Sequence, residues 1–219
     1  MAKGSSGSSS SSARASGVST ARRRTLAALS LGRPAAGPFA REVRADLARL
    51  RRSVGQPCPH FGKKGVLQFA MKRTGAEAAH PLGPPRFNKY AGWVEWRNAV
   101  FLWINATGGS FANTFKKGGR QVTWYVGGPR PSDKSPIVKR LLADDGDSTS
   151  VELFIRKHAT TPYVYCGSCK RVSHNSATKG FEFTWELEDY EALKGKPAFK
   201  DLLSKKKGTP VERAAERWS

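Results

Sequence analysis

Residues 151–187 read VELFIRKHATTPYVYCGSCKRVSHNSATKGFEFTWEL. The last eight, Gly180–Leu187, put Phe181, Phe183 and Trp185 on one face of a strand and Glu182, Thr184 and Glu186 on the other. Upstream, residues 162–172 form a longer β run in which Gly167 marks a bulge. Residues 151–157 are a further strand, with a less clean alternation. Toward the N-terminus lie two more, 99–106 (AVFLWINA) and 121–126 (QVTWYV), bounded by Gly108-Gly109, Gly118-Gly119 and Gly127-Gly128-Pro129. A helix over 135–142 separates the second strand from the third, with Ser135 as N-cap and Pro136 in its first turn. Five strands with glycine-marked turns and few long helices predict an α+β domain built on a mixed or antiparallel barrel or sandwich.

Four segments follow. Residues 1–38 are a basic, Ser-rich leader with a Ser/Gly run at 4–12, which cannot bury enough apolar surface to order itself. Residues 39–94 are a lead-in. Phe39, Val43, Leu47, Leu50 and Val54 make one apolar stripe of a helix ended by Gly55 and Pro57, with Arg41, Arg44, Arg49, Arg51 and Arg52 on its other face. The Gly/Pro-rich remainder reads as loop, holding one short strand or helix at 66–71 and the aromatic pair Phe87 and Tyr90. Residues 95–190 are the β-rich core. Residues 191–219 are a basic helical tail in which Phe199, Leu202 and Leu203 point inward.

The charge says what this core meets. The chain has 219 residues, 38 Lys or Arg against 17 Asp or Glu, and a formal charge of +21. Seven of the basic residues and none of the acids fall in residues 1–41, which leaves 31 against 17 and a net +14 beyond them. A chain so basic seeks polyanions. The leader is Arg-rich, Ser-rich and acid-free, as organelle transit peptides are, so a chloroplast or mitochondrion is the expected address. A nuclear cluster at Arg22–Arg24 and a plain solvated tail are the alternatives. No apolar run reaches the roughly 18 residues of a membrane-spanning helix, so no membrane partner is expected. Three cysteines exclude a disulfide scaffold and fit a reducing compartment.

Catalytic motifs are absent. No GxxxxGK[ST] and no Gly-x-Ser-x-Gly occur. Asp144, Asp145 and Asp147 read as a solvated acidic loop. Cys58 and His60 together with the pair Cys166 and Cys169 have a plausible zinc composition, with His174 as a substitute ligand. Within a strand, however, residues three apart face opposite ways, so a buried Cys166 and a rim Cys169 are expected, and no cofactor. The chain reads as a non-enzyme.

Nucleic-acid binding has direct support. Residues 111–120 (FANTFKKGGR) set Lys116, Lys117 and Arg120 among aromatics, and Trp124 and Tyr125 follow on the next strand. Cations neutralise phosphates and aromatic faces stack on bases. Arg130 and Lys134 border the next loop, and Lys170, Arg171, Ser173 and His174 follow the two cysteines. Trp124 and Tyr125 are consecutive, so one of them faces away from the core.

Four of these stretches also carry a resemblance: 151–157 (VELFIRK), Pro162-Tyr163-Val164-Tyr165-Cys166-Gly167, Val172-Ser173-His174 and Phe183-Thr184-Trp185-Glu186-Leu187. In order and type they resemble a domain at the C-terminal end of bacterial restriction-type helicases. That domain is similar in turn to the SET- and RING-associated (SRA) readers of modified bases. Residues 103–105 and Thr123-Trp124 with Ser135-Pro136 look like the first half of the same unit, so the likeness covers about 95–190. It implies a curved, barrel-like sheet of SRA/PUA-like type with flanking helices. It also implies a DNA reader, DNA ahead of RNA, that flips a base into an aromatic pocket. There Trp124 or Tyr125 would stack, Asn113 or Asp133 would bond the base edge, and Arg120, Arg130, Lys134, Lys170 and Arg171 would hold phosphates. Protein partners are unknown. The alternative is an organellar RNA-associated or ribosome-like structural protein.

Overall fold

The computed structural model describes residues 40–81, 83–107, 113–127, 133–143, 149–177 and 180–204, all within one compact unit, Gly37–Ser219. The leader, Arg130, the 144–147 acidic turn and the tail beyond Ser204 lie outside the described residues.

Seven strands form one sheet: β1 (Trp93–Glu95), β2 (Ala99–Asn105), β3 (Phe115–Lys116), β4 (Gln121–Val126), β5 (Ser150–Arg156), β6 (Val164–Ala177) and β7 (Gly180–Leu187). Their spatial order is β1-β2-β5-β6-β7-β4-β3. Only β2 and β5 run parallel; every other neighbouring pair is antiparallel, so the sheet is mixed. On β7 the alternation holds: Phe181, Phe183, Trp185 and Leu187 are buried in the cluster on the sheet's first face. Val100, Leu102 and Ile104 of β2 and Val122, Trp124 and Val126 of β4 join them. Helices α3 (Pro136–Leu142), α4 (Tyr190–Leu193) and α5 (Pro197–Leu203) cover that face with Ile137, Val138, Leu141, Leu193, Phe199 and Leu202.

The first face closes on itself through side chains. Trp93 on β1 meets Trp124 on β4 edge-on, with ring centroids 6.2 Å apart. Four strands lie between them, about 24 Å across a flat sheet at the usual strand spacing. The sheet therefore curls strongly. Among the described residues no backbone pairing joins β1 to β3 or β4, so β1 and β3 remain edges and a hydrogen-bonded barrel is not formed.

The second face is packed by α1 (Leu47–Arg51) and α2 (Gly62–Thr74) over Phe101, Trp103, Phe154, Tyr163 and Tyr165. Here two expectations are corrected. The single helix from residue 39 is instead a 3-10 turn (Ala40–Glu42), an extended piece and α1. Asn98 is the cause: its side-chain amide donates to the Ala45 carbonyl at 2.9 Å and accepts from the Ala45 N–H at 2.8 Å. Arg97 N–H adds a bond to Val43 O, and Asp46 then caps a new start by accepting from Arg49 N–H. The stripe is still buried at Val43 and Leu50, because extended chain also delivers it. The second correction is α2, thirteen residues long where one short piece was expected. Gly65 lies inside it because a Cβ there would stand 2.5 Å from the His60 carbonyl oxygen. Gly75 ends it in the left-handed region, φ 76°.

The bulge at Gly167 is present, with φ 85° and a register shift between Glu152 and Phe154 on β5. It changes the reading of the cysteines. The extra residue turns Cys169 back, so Cys166 and Cys169 both lie buried in the first-face cluster. Cys58 packs in the second-face cluster, and His60 is exposed. Among the described residues no three His, Cys, Asp or Glu side chains gather as a metal site. Burial pushes the Cys58 thiol up to about 12 and raises Cys166 and Cys169 as well.

Candidate nucleic-acid interface

The cations and aromatics expected to form one site divide between the faces. Across β6, β7 and β4 the register pairs His174 with Phe183 and Trp124, all on the first face. Trp124 is 2% exposed, held between Trp93 and Phe183, and has no ring face open to a base. That corrects its reading as a stacking platform. Arg171 donates to the Leu141 carbonyl at the end of α3, 2.6 Å away, and so fastens that helix to β6. His174 lies exposed on the rim, stacked on Phe181 at 5.6 Å and 10°.

The second face of the same strands is polar. Lys116, Gln121, Glu186 and Lys170 form one row across four strands. Thr123, Thr184 and Ser173 form the next, and Tyr125, Glu182 and Asn175 the third. Tyr125 bonds Glu182; partial burial and then that carboxylate raise its hydroxyl above the usual value. Two glutamates thus sit among the cations, which weakens this face as a phosphate track. Arg120 is spent locally, 2.7 Å from Glu191 and 4.6 Å over the Tyr190 ring. Lys117 is exposed in a left-handed turn, φ 48°; Asp133 and Lys134 are exposed beside α3. Asn113 donates to Asn105 O, while its own Oδ1 is buried with no partner among the described residues.

A different cluster joins aromatics to cations at the β1 edge. Phe87 and Trp93 line a cleft of about 440 Å³ with Arg41, Arg86, Asn88 and Glu95. Next to it Tyr90 is 83% exposed, with the Lys89 ammonium 4.9 Å over its ring. The loop is fixed from below. Lys63 on α2 donates to the carbonyls of Lys89 and Ala91 and lies 5.0 Å over the Trp103 ring. Its burial, then the charge of Arg156, lowers its pKa. Phe87 also packs edge-on against Trp103, with ring centroids 5.8 Å apart. Glu95 is neutralised by Arg41 at 3.0 Å and Arg140 at 2.9 Å. The sequence signal was the pair Phe87 and Tyr90; their position beside the sheet edge was not visible in it.

One buried acid was not anticipated. Glu152 is fully buried on the second face, accepting from the hydroxyls of Tyr165 and Ser150, with Arg51 at 3.9 Å. Burial is the main cause that holds its pKa above the carboxylate range. It ties α1 to β5 and β6.

No family model matches the chain, and no curated protein does. Solved structures do. One is titled DNA modification-dependent restriction endonuclease AspBHI, with 9% identity and TM-score 0.33 over 45% of this chain and 61% of that one. Another is the DNA recognition domain of the cytosine modification-dependent restriction endonuclease LpnPI, with 10% identity and TM-score 0.28 over 45% of this chain and 59% of that one. This chain thus spans about three fifths of each.

Proposed function

We propose that the chain is a non-enzymatic DNA-binding module whose contact zone is the β1 edge and the loop at residues 86–95. The observation that carries the reading is the meeting of exposed Tyr90, Lys89 and Arg86 with the Phe87–Trp93 cleft. Cations there take phosphates and the aromatic faces take a base. Asn88 supplies a donor and an acceptor for a base edge, and the cleft is where an extruded base is received. Lys117 and Lys134, exposed and outside the glutamate-bearing rows, add further phosphate contacts, and the modified base implied by the resemblance is the target.

The test titrates the full chain with a fluorescent DNA duplex over a salt series. Affinity is expected to fall linearly in log–log form, and Lys89→Ala to reduce the slope by about one. Tyr90→Ala is expected to cost roughly 1–3 kcal/mol, the worth of one stacked base. A 2-aminopurine probe beside 5-methylcytosine reports extrusion by a rise in fluorescence. No DNA binding at low salt overturns the reading. Binding with no preference for the modified duplex removes base reading and leaves the module. A stronger affinity for single-stranded RNA moves the function to the RNA-associated class.

A further inference from the structure

A second cleft, of about 510 Å³, lies along the C-terminal half of α2. It shares no residue with the β1-edge cleft and takes no part in the reading above. Its size is that of a small-ligand site. One wall is polar: Gln68 and Lys72 stand one turn apart on the exposed side of the helix, with Arg73 next and His60 opposite. The other wall is apolar, made by Phe69, Met71 and prolines.

Arg73 is held in place. Its guanidinium donates to Gln56 Oε1 at 2.9 Å and lies 5.4 Å over the Phe69 ring, and its other N–H groups bond no described residue. Lys72 is exposed and forms no ion pair with a described residue. The single carboxylate in the lining is Glu77, so the cleft carries a net positive charge. Cations in the last turn also answer the helix dipole. Here that demand is partly met without them: the Thr74 hydroxyl donates to Ala70 O at 2.8 Å, and Gly75 N–H to Lys72 O.

We propose that this cleft binds a nucleotide phosphate, with Lys72, Arg73 and His60 on the phosphate and Pro57, Pro59 and Pro84 against the base and sugar. Fork-shaped guanidinium donors suit phosphate oxygens. The nucleotide is either free or the 5′ end of a strand.

The experiment titrates the full chain by calorimetry with AMP, with adenosine, and with one oligonucleotide carrying either a 5′-phosphate or a 5′-hydroxyl. AMP is expected to bind and adenosine not to. Lys72→Gln and Arg73→Gln are each expected to weaken AMP by about tenfold or more. Lys200→Gln, an equal charge loss on α5, leaves AMP affinity unchanged. A tenfold preference for the 5′-phosphorylated strand, lost in Lys72→Gln, assigns the site to strand ends. AMP binding without that preference assigns it to free nucleotide. Failure of AMP to bind, equal binding of adenosine, or an unaltered AMP affinity in Lys72→Gln overturns the proposal. Lys72 is exposed, so its substitution tests the site without unfolding α2.

Discussion

Gly167 and Glu152 show how single positions set this core. Gly167 has φ 85°, and a Cβ there would strike the Asp189 carboxylate that accepts from Ser168 N–H. Gly167→Ala is expected to destabilise the fold by about 1–3 kcal/mol, read from the urea midpoint. Glu152 acts through protonation. Its folded pKa is raised, so between its unfolded pKa and the higher folded one the native state holds more protons than the unfolded chain. Stability from this group therefore falls as pH rises through the ordinary carboxylate range near about 4.3 toward the folded value. Glu152→Gln keeps an acceptor for one hydroxyl, reverses the other contact so that its amide donates, and removes the titration. Denaturation series in acid and at neutral pH should show a flatter pH dependence in the variant, with its gain over the parent largest at neutral pH. Neither residue's role was fully legible beforehand. Gly167 inside a β run signalled a bulge, and the bulge is there. That the same extra residue would turn Cys169 into the core needs the register with β5, which no local pattern holds.

At the scale of elements, five of the seven strands were legible from their apolar runs and the glycine-marked turns around them, whereas β1 and β3, three and two residues long, are too short to carry such a pattern. β7 is the clearest: both faces are written in its eight residues. The lead-in was less legible. An apolar stripe at three- and four-residue spacing suits a helix, but residues 43–45 take an extended path to reach Asn98, a partner 53 positions away. α2 was hidden by the opposite cause, since Gly62 and Gly65 resemble loop residues until the His60 carbonyl beneath Gly65 is seen. This gives a prediction with a sign contrary to propensity. Alanine for glycine in a helix ordinarily gains about 1 kcal/mol. Gly65→Ala should lose stability instead, by roughly 1–3 kcal/mol, because backbone must move to admit the methyl group. An increase in the thermal midpoint would show that the close approach is not maintained. For the site, composition found cations and aromatics, but register split them: Trp124 faces the core, Lys170 faces away, and at the β1 edge Phe87 and Trp93 line a cleft beside exposed Tyr90.

At the scale of the whole molecule, the fold is a curled mixed sheet with helices on both faces and charge placed unevenly. Glu182, Glu186, Glu188 and Glu191 gather along β7 and the turn into α4, while Arg44, Arg49, Arg52, Lys64 and Lys72 are exposed on the α1–α2 side. Binding should be strongly salt-dependent, and should weaken more when Arg86 or Lys89 is removed than when Lys194 or Lys196 is, as anisotropy titrations of single variants would show. The Trp93–Trp124 contact has one more use. Two indoles held edge to face at 6.2 Å couple their electronic transitions, and they sit on strands far apart in the sheet. Their exciton couplet in circular dichroism is therefore a built-in optical gauge of the curl: it persists while the sheet stays wrapped and vanishes when β1 peels away from β4, with no label attached.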